Sequence, residues 1–140
     1  SGAESSWAIW YEQVSVSDGV SLGVWTFGRT GVDGSGAATT RAVLASTDPA
    51  MTDTHVQLTG VYDATDRSLR LYVDVFSQDD SATPPVLGQD QQGFGELTVG
   101  RGRRAGAWGD GLPGTVSELR LWAGAMTNSQ VAELVLGAEL

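Results

Sequence analysis

Seven short segments of this chain alternate apolar and polar residues with a period of two, and clusters of turn-forming residues separate them. Successive side chains of a strand point to opposite faces, so the pattern marks sheets with one buried face and disfavours a helical fold. In Ser6–Glu12, Trp7, Ile9 and Tyr11 point one way and Ala8, Trp10 and Glu12 the other. Val20–Arg29 sets Val20, Leu22 and Val24 against Trp25 and Phe27. Arg41–Ser46 reads as a short apolar strand, and His55–Tyr62 puts Val56, Leu58 and Tyr62 on one face. Leu69–Phe76 sets Leu69, Leu71, Val73 and Val75 against Arg70, Tyr72, Asp74 and Phe76. Glu96–Arg101 turns Leu97 and Val99 inward. In Thr115–Trp122, Val116 and Leu119 stand three apart, which predicts a bulge near Ser117–Glu118.

The separators are Ser17-Asp18-Gly19, Gly31–Gly36, Asp63–Ser68, Gln78–Gly95 and Gly102–Gly114. The stretch Gln78–Gly95, polar and carrying Pro84-Pro85, predicts a long surface loop. Only the tail reads as helix. Thr127 and Gln130 fit a capping box, and Val131, Leu134 and Val135 make one apolar stripe behind it. The expected fold is all-β: an antiparallel β-sandwich or jelly roll closed by a short C-terminal helix.

At 140 residues and 41% hydrophobic content the chain suits a single domain, 1–140, with a real core. No apolar run reaches the ~20 residues of a membrane span, so no membrane insertion is expected. The net charge of −9 repels phosphate backbones and argues against a nucleic-acid partner. The absence of cysteine excludes disulfides and thiolate chemistry, and one histidine, His55, excludes a multi-histidine metal site. All eight positive charges are arginine, and one isoleucine and one asparagine stand against nineteen glycines. That codon bias predicts a high-GC bacterial source. The opening Ser1-Gly2-Ala3-Glu4 is no signal peptide and reads as the start of a piece excised from a longer chain.

Two groups of residues carry a family resemblance. His55-Val56-Gln57-Leu58-Thr59-Gly60-Val61-Tyr62-Asp63 followed by Leu69-Arg70-Leu71-Tyr72-Val73-Asp74 resembles the W-x-H-L-x-G-x-Y-D and L-x-L-Y-V-[ND]-G strand pair of bacterial laminin G-like domains. Gly95-Glu96-Leu97-Thr98-Val99-Gly100-Arg101, then Gly114–Trp122 and Met126-Thr127, is similar to their closing strands and short final helix. The similarity covers roughly residues 55–135, and more loosely begins at residue 6. It implies the concanavalin A-like jelly roll of two antiparallel sheets. There are departures. His55 and Gln57 stand where the family has tryptophan and histidine, and Val75 replaces the hairpin glycine after Asp74. The family's opening F-T-[VI]-x-x-W-[VI] strand has no counterpart here. The Ser6–Glu12 edge is therefore expected to be covered by an upstream segment, a neighbouring chain or this chain's own loops.

Little in the sequence points to catalysis. His55 is the only base for a Ser-His-Asp arrangement, and a partly buried packing histidine is the plainer reading. The glutamates, 4, 12, 96, 118, 133 and 139, form none of the E-x-D-x-x-E pattern of glycosidases with this fold. Gly100–Gly106 superficially resembles a phosphate cradle, but no helix follows it. Its arginines, Arg101, Arg103 and Arg104, suit an acidic sugar, an anionic protein patch or, most simply, the chain's own carboxylates. The resemblance admits one calcium ion at the sandwich rim, and loop aspartates such as Asp18, Asp33, Asp53, Asp63, Asp66, Asp79, Asp80, Asp90 and Asp110 are candidate ligands. No D-x-D-x-D-G loop assigns a site, and turn capping is the simpler role for Asp63 and Asp66.

Of five tryptophans, Trp7 and Trp25 lie in expected strands and read as core, and the resemblance implies the same for Trp122, which stands where the family has a packed aromatic. Trp108 lies in a glycine-rich loop, where it either stacks on a ligand or tucks under the loop as an anchor, the commoner fate. Arg101, Arg103, Trp108 and Asp110 thus form the candidate ligand-binding set. The expected function is a non-catalytic recognition module, binding carbohydrate or protein, within a larger secreted or cell-surface bacterial protein. A structural accessory domain without its own ligand is the alternative, and a glycosidase of the same fold the third reading.

Overall fold

The computed structural model describes residues 6–32, 38–78, 97–104, 106–109, 111–112 and 114–137, with backbone alone at 32, 38–42, 103 and 104. The first sheet joins β1 (Trp7–Ser17), β2 (Val20–Val32) and β3 (Ala38–Pro49) in that order, all antiparallel. The Ser17-Asp18-Gly19 signal becomes the β1–β2 turn, with Asp18 at φ 51° and Gly19 at φ 78°. Among the described residues β1 is an edge strand of this sheet. A bulge between Gln13 and Ser15 shifts its register.

The second sheet joins β4 (Leu58–Asp63), β5 (Ser68–Val73) and β6 (Phe76–Ser77). The single strand expected over Leu69–Phe76 is two strands joined by a tight turn. With no glycine after Asp74, the left-handed φ falls on Asp74 itself, at 54°. Asp74 can hold it because its carboxylate accepts the Gln57 N–H at 2.9 Å and its own N–H donates to the Gln57 carbonyl at 2.8 Å.

The two sheets face each other through Phe27 and Leu44 of the first and Leu69 and Leu71 of the second. Trp7, Ile9, Trp25 and Tyr62 pack around this cluster. Alternation makes this possible, since Leu69 and Leu71 share the inner face of β5. Gly60 is required beside them, because a Cβ there would stand 2.9 Å from the Phe27 ring.

The outer face of β5 is also buried. Tyr72 and Val61 meet Val131 of α1 (Asn128–Gly137), with Met126 alongside. The capping box forms as expected. The Thr127 N–H donates to Gln130 Oε1 at 2.9 Å, and the Gln130 N–H donates to Thr127 Oγ1 at 3.3 Å. The outer face of the first sheet is not simply solvated either. Trp10 is 4% exposed and its cross-strand partner Thr26 is fully buried. The sheets, their antiparallel pairing and, among the described residues, one short helix make the β-sandwich that the alternation predicted.

Several local expectations are corrected. The segments expected as strands over Glu96–Arg101 and Thr115–Trp122 are irregular wherever they are described, and Leu97, Val99, Val116, Leu119, Leu121 and Trp122 are exposed. Alternation makes a segment competent to be a strand but does not supply an edge to pair with. In the second segment Glu118 adopts φ 55°, a turn that no regular strand accommodates, at the place where a bulge was expected. Trp122 is therefore not core. His55 is exposed and precedes β4, so it is not a packing histidine. The expected Gln78–Gly95 loop lies outside the described residues from 79 to 95, and its first residue is a buried structural group.

Candidate ligand-binding site

The glycine- and arginine-rich stretch folds into a small hairpin of its own, β7 (Gly102–Arg104) and β8 (Ala107–Gly109). No apolar alternation announced it. Its turn uses Gly106 at φ 80°, a conformation open to glycine at little cost. The base of the hairpin is tied. Gly100 turns at φ 85°, its carbonyl accepts the Leu112 N–H at 3.3 Å, and the Thr98 hydroxyl donates to the Arg101 carbonyl at 2.8 Å.

These ties fix the backbone of Arg101 directly before β7. Its guanidinium carbon then lies 4.0 Å from the centroid of the Trp108 ring, a cation–π contact. Arg103 stands opposite Trp108 in the hairpin register. Trp108 is 50% exposed, which favours the stacking alternative over a buried anchor. Of the candidate set, the structure brings Arg101 and Trp108 together and places the Arg103 backbone beside them; Asp110 lies outside the described residues.

A concave feature lies elsewhere, where the β4–β5 turn meets the start of α1. It is an open groove of about 640 Å³, lined by Asp63, Asp66, Ser68, Arg70, Met126 and Asn128 among others. Its polar groups serve the fold. Arg70 donates to the Met126 carbonyl at 2.8 Å and to Asn128 Oδ1 at 3.2 Å, and the Tyr72 hydroxyl donates to the same amide oxygen. These bonds tie α1 to β5 and leave the groove little unspent chemistry. The sequence gave no warning of this tie, because its partners lie 56 to 58 residues apart.

The aspartates of the β4–β5 turn act as turn caps. Asp63 accepts the Thr65 N–H at 2.9 Å and Asp66 accepts the Ser68 N–H at 3.0 Å, while Arg67 takes φ 59°. Hydrogen bonds from the Ser68 side chain and backbone hold the Asp66 carboxyl below the usual carboxylate range. A depressed folded value means that this contribution is fully present above the ordinary aspartate value of ~3.9 and is lost as pH falls through the lowered one. The Asp66→Asn variant is therefore expected to lose less stability than the parent between pH 4 and pH 2, measured by urea unfolding across that range.

Calcium finds no ligand set among the described residues, where no group of three or more acidic or histidine side chains converges. Asp18 and Asp53, both at positive φ, are turn residues like Asp63 and Asp66. Asp33, Asp79, Asp80, Asp90 and Asp110 lie outside the described residues.

A two-layer antiparallel sandwich with a terminal helix on one outer face is what the motif resemblance implied. The family model of the concanavalin A-like lectin/glucanases superfamily, laminin G type, matches residues 1–132. The chain belongs to this laminin G-like family. No curated protein and no solved structure matches it. Within a laminin G-like domain the β7–β8 hairpin precedes the segment of the closing motif, Gly114–Trp122. The hairpin's strands contact chiefly each other, and β8 is exposed along its length.

Proposed function

We propose that this laminin G-like domain is a non-catalytic recognition module of a larger secreted or cell-surface bacterial protein, binding glycan through the β7–β8 hairpin. The observation that carries this reading is the exposed Trp108 ring with Arg101 stacked on it, on an element that contributes little to the core. A rigid indole gives sugar rings an apolar face, and a neighbouring guanidinium gives hydroxyls a donor. Membership of a lectin/glucanase superfamily supports a binding role without naming the ligand.

The groove beside Arg70 is the weaker candidate, since Arg70 and Tyr72 bond to the start of α1 and Asp63 and Asp66 cap the β4–β5 turn. The test is a glycan array probed with the purified chain. Selective binding to a defined set of saccharides is expected. An array with no selective binding would favour the alternative, an accessory domain without its own ligand.

A further inference from the structure

We infer that the ligand of the β7–β8 hairpin is an acidic saccharide, one that presents a carboxylate or a sulfate to Arg101; the inference rests on the recognition reading above and adds the chemical class. Three of the chain's eight arginines fall within four residues, in a protein whose net charge is −9. With seventeen carboxylates in the sequence, the plainest expectation is that such arginines pair internally. Arg101 does not do so among the described residues. Its guanidinium lies over the Trp108 ring, whereas Arg120 pairs with Glu118 at 2.7 Å.

A guanidinium carries its N–H donors in a planar fork suited to two parallel bonds with a carboxylate or a sulfate. Arg101 is exposed, and its contact with the Trp108 ring spends none of those donors on a carboxylate. The backbone beneath it is pinned by the Thr98 hydroxyl bond to the Arg101 carbonyl and by the turn at Gly100, and the Trp108 ring against the guanidinium restrains the side chain. Arg103 and Arg104 follow on β7 and add positive charge to the same hairpin.

A saccharide fits better than an acidic protein. Each hairpin strand is three residues long, whereas a stable protein–protein interface buries roughly 1,600 Å². The negative charge elsewhere on the domain opposes a polyanion only at short range, since screening at physiological salt acts over about 8 Å. Binding is therefore expected at the hairpin alone, with an affinity that falls as salt rises.

The experiment titrates the full chain by calorimetry with oligogalacturonate, sulfated dextran, unmodified dextran and poly-glutamate. Oligogalacturonate or sulfated dextran should bind, and the arm that binds identifies carboxylate or sulfate. Unmodified dextran should not bind. Arg101→Lys keeps the charge but loses the fork, and should weaken binding about tenfold. Arg101→Gln should weaken it further, and both variants should keep the parent's melting temperature. Equal affinity in parent, Arg101→Lys and Arg101→Gln would overturn the inference, as would binding of poly-glutamate as tight as that of the acidic saccharide. If neither acidic saccharide binds, the inference fails. In that event selective neutral glycans on the array would leave the recognition reading standing, and an array without any would remove that reading as well.

Discussion

The Leu71→Ala variant is expected to lose ~3–5 kcal/mol of folding stability, measured by urea unfolding at neutral pH. Leu71 is fully buried in β5, where it meets Phe27 and Leu44 across the sandwich. Removing three carbons leaves a cavity in the cluster to which both sheets contribute side chains. Relaxation is limited on both sides. Gly60 already brings the β4 backbone against the Phe27 ring, and Tyr72 locks the far side of β5 to α1. A comparable change at exposed Leu121 is expected to fall within about 0.5 kcal/mol of the parent.

The second large effect is expected at Gln78. This amide is 1% exposed and ties the second sheet to β3. Its backbone N–H donates to the Leu71 carbonyl at 2.8 Å. Its side-chain oxygen accepts from the Thr47 N–H at 3.2 Å, the Thr47 hydroxyl at 3.3 Å and the Asp48 N–H at 3.3 Å. Its side-chain nitrogen donates to the Phe76 carbonyl at 3.2 Å and, more weakly, to Asp48 Oδ2 at 3.4 Å. Gln78→Leu keeps the volume and removes every side-chain bond, leaving main-chain groups of Thr47, Asp48 and Phe76 without their partner. Thr47 and Asp48 lie near solvent, so water recovers part of the loss. The expected cost is ~2–4 kcal/mol, read as a lower urea midpoint at unchanged slope.

Local signals in the sequence carried most of the sandwich. Ser17-Asp18-Gly19, the alternation of Leu69 and Leu71 and the Thr127–Gln130 capping box each act within a few residues, and each appears in the structure as its chemistry dictates. Signals that depend on a distant partner were not legible. Tyr72 and Trp10 lie opposite the expected core faces, yet both are buried, because a sheet face shows nothing in its own sequence about what covers it. Gln78 read as the start of a polar loop, and its partners lie about thirty residues away. Thr115–Trp122 illustrates the converse. It read as a strand with one bulge, but Glu118 turns the backbone at a positive φ and the segment stays unpaired among the described residues.

The candidate site was legible in composition and not in geometry. Three arginines and a tryptophan among glycines marked the stretch, but no periodicity revealed a hairpin, since strands of three residues are too short to show one. The sequence also left open whether Trp108 was anchor or platform. Its half-exposed ring and the guanidinium stacked on it are properties of the β7–β8 register and the turn at Gly100, which composition does not encode.

The most direct test of the account is the Trp108→Ala variant, compared with the parent by thermal unfolding and by titration with the best saccharide from the array. A platform carries ligand affinity and little of the fold. The account predicts a melting temperature within about 2 °C of the parent and an affinity loss on the order of 1–3 kcal/mol, roughly five- to 150-fold. A melting temperature lowered by more than about 10 °C with affinity retained would show Trp108 to be an anchor of the fold and would contradict the account.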